Sequence, residues 1–260
     1  VPGTFKPWAP GNVETIARNM IAHVGYLVQL HRNSGKDIAL ALEPEPCCML
    51  ETIEESIAFF ESHIFASAGV EQLVQETGLS ASDAEAALHR HIGICYDVCH
   101  AAVEYEDPRG SVDALRKAGI AIPKLQLSSA LRLAEVDTAK LDALRGFDEP
   151  VYLHQVIEKG PEGLVRHKDL NDAFATADSA IGREWRVHFH VPIFLERLEH
   201  FDTTQAFLRE ILALHRADPI SPHLEVETYT WDVLPEQYRN VSVSDAIARE
   251  MGWVRDQLLS

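Results

Sequence analysis

The sequence is that of an α/β protein and predicts a TIM (β/α) barrel, on three observations. Short β-type runs alternate with amphipathic helical stretches along the chain, the pattern of parallel βα units in a barrel or an open doubly wound sheet. In "KLQLSS", "RVHFHV" and "HLEVET" every second residue is polar: Lys124/Gln126/Ser128, Arg186/His188/His190 and His223/Glu225/Glu227. Period-two geometry places each such set on one face of its strand. Helices would cover the apolar faces, so the polar faces point into a shared interior, and in a closed parallel barrel that interior opens at the strand C-termini.

In chain order, apolar residues at helical spacing (Val13, Ile16, Ala17, Met20, Val24, Leu27, Leu30) predict a helix from Asn12 to about Arg32, capped by Asn12 and stopped by "NSG". "DIALALEP" reads as a short strand closed by Pro44 and Pro46, and "ETIEESIAFFES" and "SDAEAALHRH" as helices. The strand "IGICYD" follows, then a helix near "SVDALRKAG", the strand "IPKLQLS" and the helix "TAKLDALRG". Residues 150–168 carry Gly160, Pro161 and Gly163 between two extended runs, which predicts a hairpin inserted into the barrel. The helix "DLNDAFATA", the strand "WRVHFHVPIF", the helix "TTQAFLREILALHR", the strand "PHLEVET" and the helix "SVSDAIAREMGWVRDQLL" complete one domain over residues 1–260. No internal repeat is evident.

Composition narrows the function. At 46% hydrophobic residues the 260-residue chain has enough apolar material for a sizeable core. There is no run of 18 apolar residues and no signal peptide at "VPGTFKPWAPG", so the expected setting is cytoplasmic, without membrane insertion. The net charge of −17, with no basic block, repels phosphate backbones and disfavours nucleic-acid partners. Cys47, Cys48, Cys95 and Cys99 read as reduced thiols, and their spacing lacks the glycines of a zinc knuckle.

Collecting polar residues at the strand ends yields Glu43, Asp97, His100, Gln126, Ser128, His154, His188, His190 and Glu227. Carboxylates and imidazoles gathered in one dry interior are costly unless a cation compensates them. A mixed carboxylate and imidazole set suits Mn, Zn, Co or Fe, and Mg less well if two imidazoles bind. Simpler roles compete at each position. Asp97 can cap the helix that follows it, His188 and His190 can lie outward on an antiparallel edge strand, and His154 can sit at a pocket rim.

Several segments resemble a known superfamily. "GICYDVCHAA" is similar to the D-x-C-H segment of the xylose-isomerase-like barrels, which include sugar-phosphate isomerases and epimerases and endonuclease IV. "ALEPEPCCMLET" and "HLEVETYTW" resemble their E-P and final E-T segments, with Glu43 and Glu227 in ligand positions. More narrowly, "VPGTFKPW", "KLQLSSA", "FDEPVYLHQV" and "WRVHFHVPIF" resemble EboE-type metabolite-traffic proteins. The resemblance implies a barrel lacking its first βα units, hence a missing N-terminal segment or an oligomer that covers an open edge.

It also implies a divalent ion (Mn, Zn, Co or Mg) held by Glu43, Asp97, Glu227 and a histidine. Gln126 stands where the family carries a histidine ligand, so His188 or His190 must supply it. Gln126, Ser128 and His154 would bind substrate, Glu43 and Glu227 would move a proton, and His100 would orient substrate or a ligand. The expected activity is metal-dependent isomerisation or epimerisation of a small polyol or sugar-like metabolite. The rivals are a non-catalytic carrier and an endonuclease IV-like phosphodiester hydrolase. The second lacks both the basic groove and the early-strand histidines of a three-metal site.

Overall fold

The computed structural model describes residues 3, 5–9, 11–227, 232, 234, 236 and 241–260. The rest of "VPGTFKPW" and Thr228 to Trp231 of "HLEVETYTW" lie outside the described residues. Its contacts group into two compact units: Val1–Tyr96 with Arg109–Leu125 and Ile220–His223, and Asp97–Pro108 with Gln126–Pro219 and Leu224–Ser260.

In the first unit, α1 (Asn12–Ser34) packs on α3 (Ser67–Thr77) and α4 (Ala81–His91). The sequence reading missed α3. Helix α1 ends at Gly35, whose left-handed φ of 69° lets its N–H reach the His31 carbonyl at 2.7 Å. Its other end corrects the expectation for Asn12, which is the first helical residue, whereas the capping position belongs to Gly11 and has no side-chain bond. Helix α2 (Ile53–Phe59) begins with a capping box between Thr52 and Glu55. Strand β1 (Leu40–Leu42) lies parallel to β2 (Ile92–Asp97), pairing Leu40 with Ile92. Gly93 is required within β2, because a Cβ there would lie 2.4 Å from the Ala121 carbonyl oxygen.

The strands form two sheets. One is parallel and four-stranded, ordered β1-β2-β3-β10, where β3 is Lys124–Leu127 and β10 is Leu224–Val226. The other is antiparallel, ordered β6-β5-β7-β4-β9-β8. Its members are β4 (Ala130–Leu133), β5 (Val156–Gly160), β6 (Gly163–His167), β7 (Glu184–His190), β8 (Arg197–Leu198) and β9 (Phe201–Thr203). The hairpin foreseen at 150–168 exists as β5 and β6, but as part of this second sheet.

Strand β7 was expected to be parallel and instead runs antiparallel between β5 and β4, an interior place that also excludes the edge-strand reading of His188 and His190. Period-two alternation reports which face is buried and carries no information on the direction of the neighbours. The alternation itself holds. Trp185, Val187 and Phe189 enter a core with Leu131, Leu133 and Phe147, where the Phe147 and Phe189 rings meet edge to face at 5.1 Å. The opposite face of β7 is covered by α5 (Val98–Val103), six buried residues of "VCHAAV". Helices α6 (Pro108–Lys117), α7 (Thr138–Leu144) and α8 (Leu170–Phe174) follow in the chain, and α9 (Gln205–Ala217) and α10 (Val243–Leu259) also belong to the second unit. No described helix is long and apolar enough to cross a membrane.

Candidate metal centre

Asp97 ends β2 and starts α5, so one residue sets the position of everything that follows. Its Oδ1 accepts the His100 N–H at 3.0 Å, which caps α5, and the Ser128 hydroxyl at 2.7 Å. Its Oδ2 accepts from Gln126 Nε2 at 2.5 Å. The capping role weighed in the sequence is the one observed, and it leaves Asp97 free to stand in a donor set as well, because the two oxygens face different groups. Burial alone would raise the Asp97 pKa. The imidazoles of His100 and His190, with the hydrogen bonds from the His100 N–H and Ser128, outweigh it and hold the carboxyl below its ordinary value.

Across from Asp97, α5 and β7 bring three imidazoles together. His100 Nε2 lies 3.0 Å from His188 Nε2, which lies 3.3 Å from His190 Nε2. Of the outer ring nitrogens, His188 Nδ1 lies 2.7 Å from Gln155 Oε1 and His190 Nδ1 lies 3.1 Å from Glu227 Oε2. An acceptor at Nδ1 draws the proton there and leaves Nε2 with a bare lone pair. Burial, followed by the neighbouring His100, His190 and His154, pushes the His188 pKa well below its ordinary value, so its ring stays neutral. His188 Nε2, its lone pair inward, stands within hydrogen-bond reach of the Nε2 atoms of His100 and His190, a position that a donated proton or a cation can satisfy.

Two sets of donor atoms converge to within 4.8 Å of one another: Asp97, His100 and His190, and Cys99, His188 and His190. All five side chains are buried in the second unit. Donors bonded to one zinc-class ion stand about 3.3 to 3.6 Å apart; the 3.3 Å between His188 and His190 falls in that range, the 3.0 Å between His100 and His188 is a hydrogen-bond distance, and the donor chemistry fits a divalent ion.

The predicted residues divide among distinct places. Gln126 bridges the centre, donating to Asp97 and, at 2.9 Å, to Glu227 Oε2. Ser128 donates to Asp97 and accepts the Cys99 N–H at 2.9 Å, so it holds both ends of the first turn of α5. Glu227 belongs to neither donor set and stands beside His190 and Gln126. His154 has both ring nitrogens engaged, one 3.3 Å from the His188 carbonyl and one 3.0 Å from Glu149 Oε1. Glu43 follows β1 in the first unit and is in neither donor set. Sequence reasoning missed Cys99 and Gln155. The D-x-C-H spacing puts Cys99 on the same short helix as His100, a usable signal, whereas nothing local marks Gln155.

Compared with protein-family models, with curated proteins and with solved structures, the chain matches none. The class is set by the fold and the donors alone: an α/β protein with a buried imidazole and carboxylate cluster capable of holding a metal ion.

Proposed function

We propose that this protein is a metal-dependent isomerase or epimerase-like enzyme acting on a small polyhydroxy or sugar-like metabolite, on a barrel of the xylose-isomerase-like type that serves an EboE-like metabolite-traffic system. The observation that carries the reading is the convergence of Asp97 with His100 and His190, and of Cys99 with His188 and His190, in two buried donor sets that share His190. Asp97, His100, His188 and His190 would hold the ion, which when bound supplies a Lewis acid for a carbonyl and its neighbouring hydroxyl. Four parallel strands, with Asp97, Ser128 and Glu227 at or just past their C-terminal ends, agree with the way barrels of that type place their sites.

The chain's own groups would do the rest. Glu227 Oε2 is half-buried and carries one N–H donation from Gln126, which leaves lone pairs able to take a proton from the carbon beside the carbonyl. Gln126 orients that carboxylate relative to Asp97. Burial of His188 and His190 excludes water from the coordinating side.

The test is metal analysis of protein purified without chelator, joined to exchange of substrate carbon-bound hydrogen with deuterated solvent over a panel of aldoses, ketoses and polyols. About one ion per chain with metal-dependent exchange is expected. Metal and ligand binding without exchange would leave a carrier, and absence of bound metal would remove the reading.

A further inference from the structure

The two donor sets differ in the chemistry they offer. One is nitrogen and oxygen; the other adds the sulfur of Cys99 to His188 and His190. Cys99 is fully buried on the first turn of α5, held by its N–H to the same Ser128 hydroxyl that donates to Asp97. Its apolar surroundings, Val103, Ala130 and Ile157, fit an ordinary core cysteine. They do not account for a sulfur within 4.8 Å of two imidazole nitrogens. Sulfur is a soft ligand that zinc and cobalt accept and that magnesium and manganese do not favour.

We propose that Cys99 Sγ is a direct ligand of the centre, with His188 and His190, and that it makes the site selective for zinc-class ions over Mg and Mn. This rests on the metal-centre reading above. On binding, the sulfur–hydrogen bond breaks and the sulfur–metal bond forms from the electron pair left on sulfur. One proton leaves to solvent, and no oxidation state changes. The donor atoms lie within 4.8 Å of one another, and coordination would bring them to about 2.3 Å from the ion for sulfur and 2.0 to 2.1 Å for nitrogen.

The experiment loads the full chain with Co(II), the spectroscopic stand-in for zinc. The expected spectrum carries visible d–d bands together with a near-ultraviolet thiolate-to-cobalt charge-transfer band. Cys99→Ser should abolish the charge-transfer band, keep d–d bands, weaken Zn(II) binding more than about 100-fold, and leave Mn(II) binding within about 3-fold. Bound cobalt with d–d bands but no charge-transfer band in the unmodified chain would overturn the assignment of Cys99 and leave the histidine centre standing. Failure to bind cobalt at all would overturn both. Should Cys99→Ser not fold, X-ray absorption of the zinc-loaded unmodified chain decides the matter. A sulfur shell at about 2.3 Å supports the proposal, and nitrogen and oxygen alone at about 2.0 to 2.1 Å overturn it.

Discussion

The two ends of one face of β7 treat buried polar groups in opposite ways. At the N-terminal end, Glu184 accepts two bonds from Arg132, each 3.0 Å, and another at 3.0 Å from Arg186. Arg186 also donates to the Ala102 carbonyl and stacks 3.8 Å over the Tyr105 ring, at a residue whose φ of 57° is left-handed. Burial would raise the Glu184 pKa, but the hydrogen bonds and charges of the two guanidiniums lower it. Both guanidiniums of this knot share the one carboxylate, and Arg186 finds a second acceptor in the Ala102 carbonyl. Four residues further along, His188 and His190 face His100 across 3.0 and 3.3 Å, and these imidazoles join Asp97 and Cys99 in two donor sets that could hold a cation. The first end is a knot of guanidiniums around a carboxylate, whereas the second gathers nitrogen, oxygen and sulfur donors able to hold a metal ion.

A third solution lies on α10. Glu250 is fully buried; its Oε1 accepts the Ile193 N–H at 2.9 Å, while its Oε2 has no hydrogen-bond partner. Burial pushes its pKa up to about 7, against which the Ile193 bond works only in part. Here the charge is removed by a proton rather than by a salt bridge or a metal.

The largest expected effect breaks the open end of the comparison. His190 is shared by both donor sets, so His190→Ala should lower Zn(II) affinity by more than about 100-fold, read by competition with a chromogenic chelator. Unchanged affinity would mean that the imidazoles merely pack. Next, the Glu250 solution has a definite sign. A carboxyl raised from its unfolded value to about 7 adds stability below the unfolded pKa and loses it as pH rises through about 7.

Urea unfolding of the wild type should therefore weaken between pH 5 and pH 8 by roughly 2 to 3 kcal/mol from this group. Glu250→Gln should flatten that slope; an equal slope in the variant would show that the carboxyl is not the source. At the closed end, Glu184→Ala leaves two half-buried guanidiniums without their carboxylate and should cost about 1 to 3 kcal/mol in urea unfolding, with metal content unchanged. A loss of metal in that variant would join the two ends into one network. Asp97→Asn should have the smallest effect on stability, within about 0.5 kcal/mol, since asparagine caps nearly as well. It should still lower metal affinity about 10-fold or more, because the charge is gone. Retained affinity would reduce Asp97 to a cap.

Much of this was legible in the sequence because it is local. The strand "IGICYD" is found with the boundaries the sequence predicts, and the hairpin turn falls between Gly160 and Gly163. The polar faces of "KLQLSS" and "RVHFHV" follow from a period of two that needs no neighbours, and Asp97 announces itself as the cap of "VCHAAV" by position alone. Strands β4, β8 and β9, of four, two and three residues, escaped notice.

Only the tertiary structure decided that β7 joins an antiparallel sheet, that His188 meets His100 across 88 residues, that Gln155 and Glu227 stand behind the imidazoles, and that Cys99 shares their space. The physical reason is that face and spacing are properties of a single strand or helix. Which donor atoms share a given few ångströms depends on strand pairing and helix packing between distant segments, and no periodicity in the chain records that.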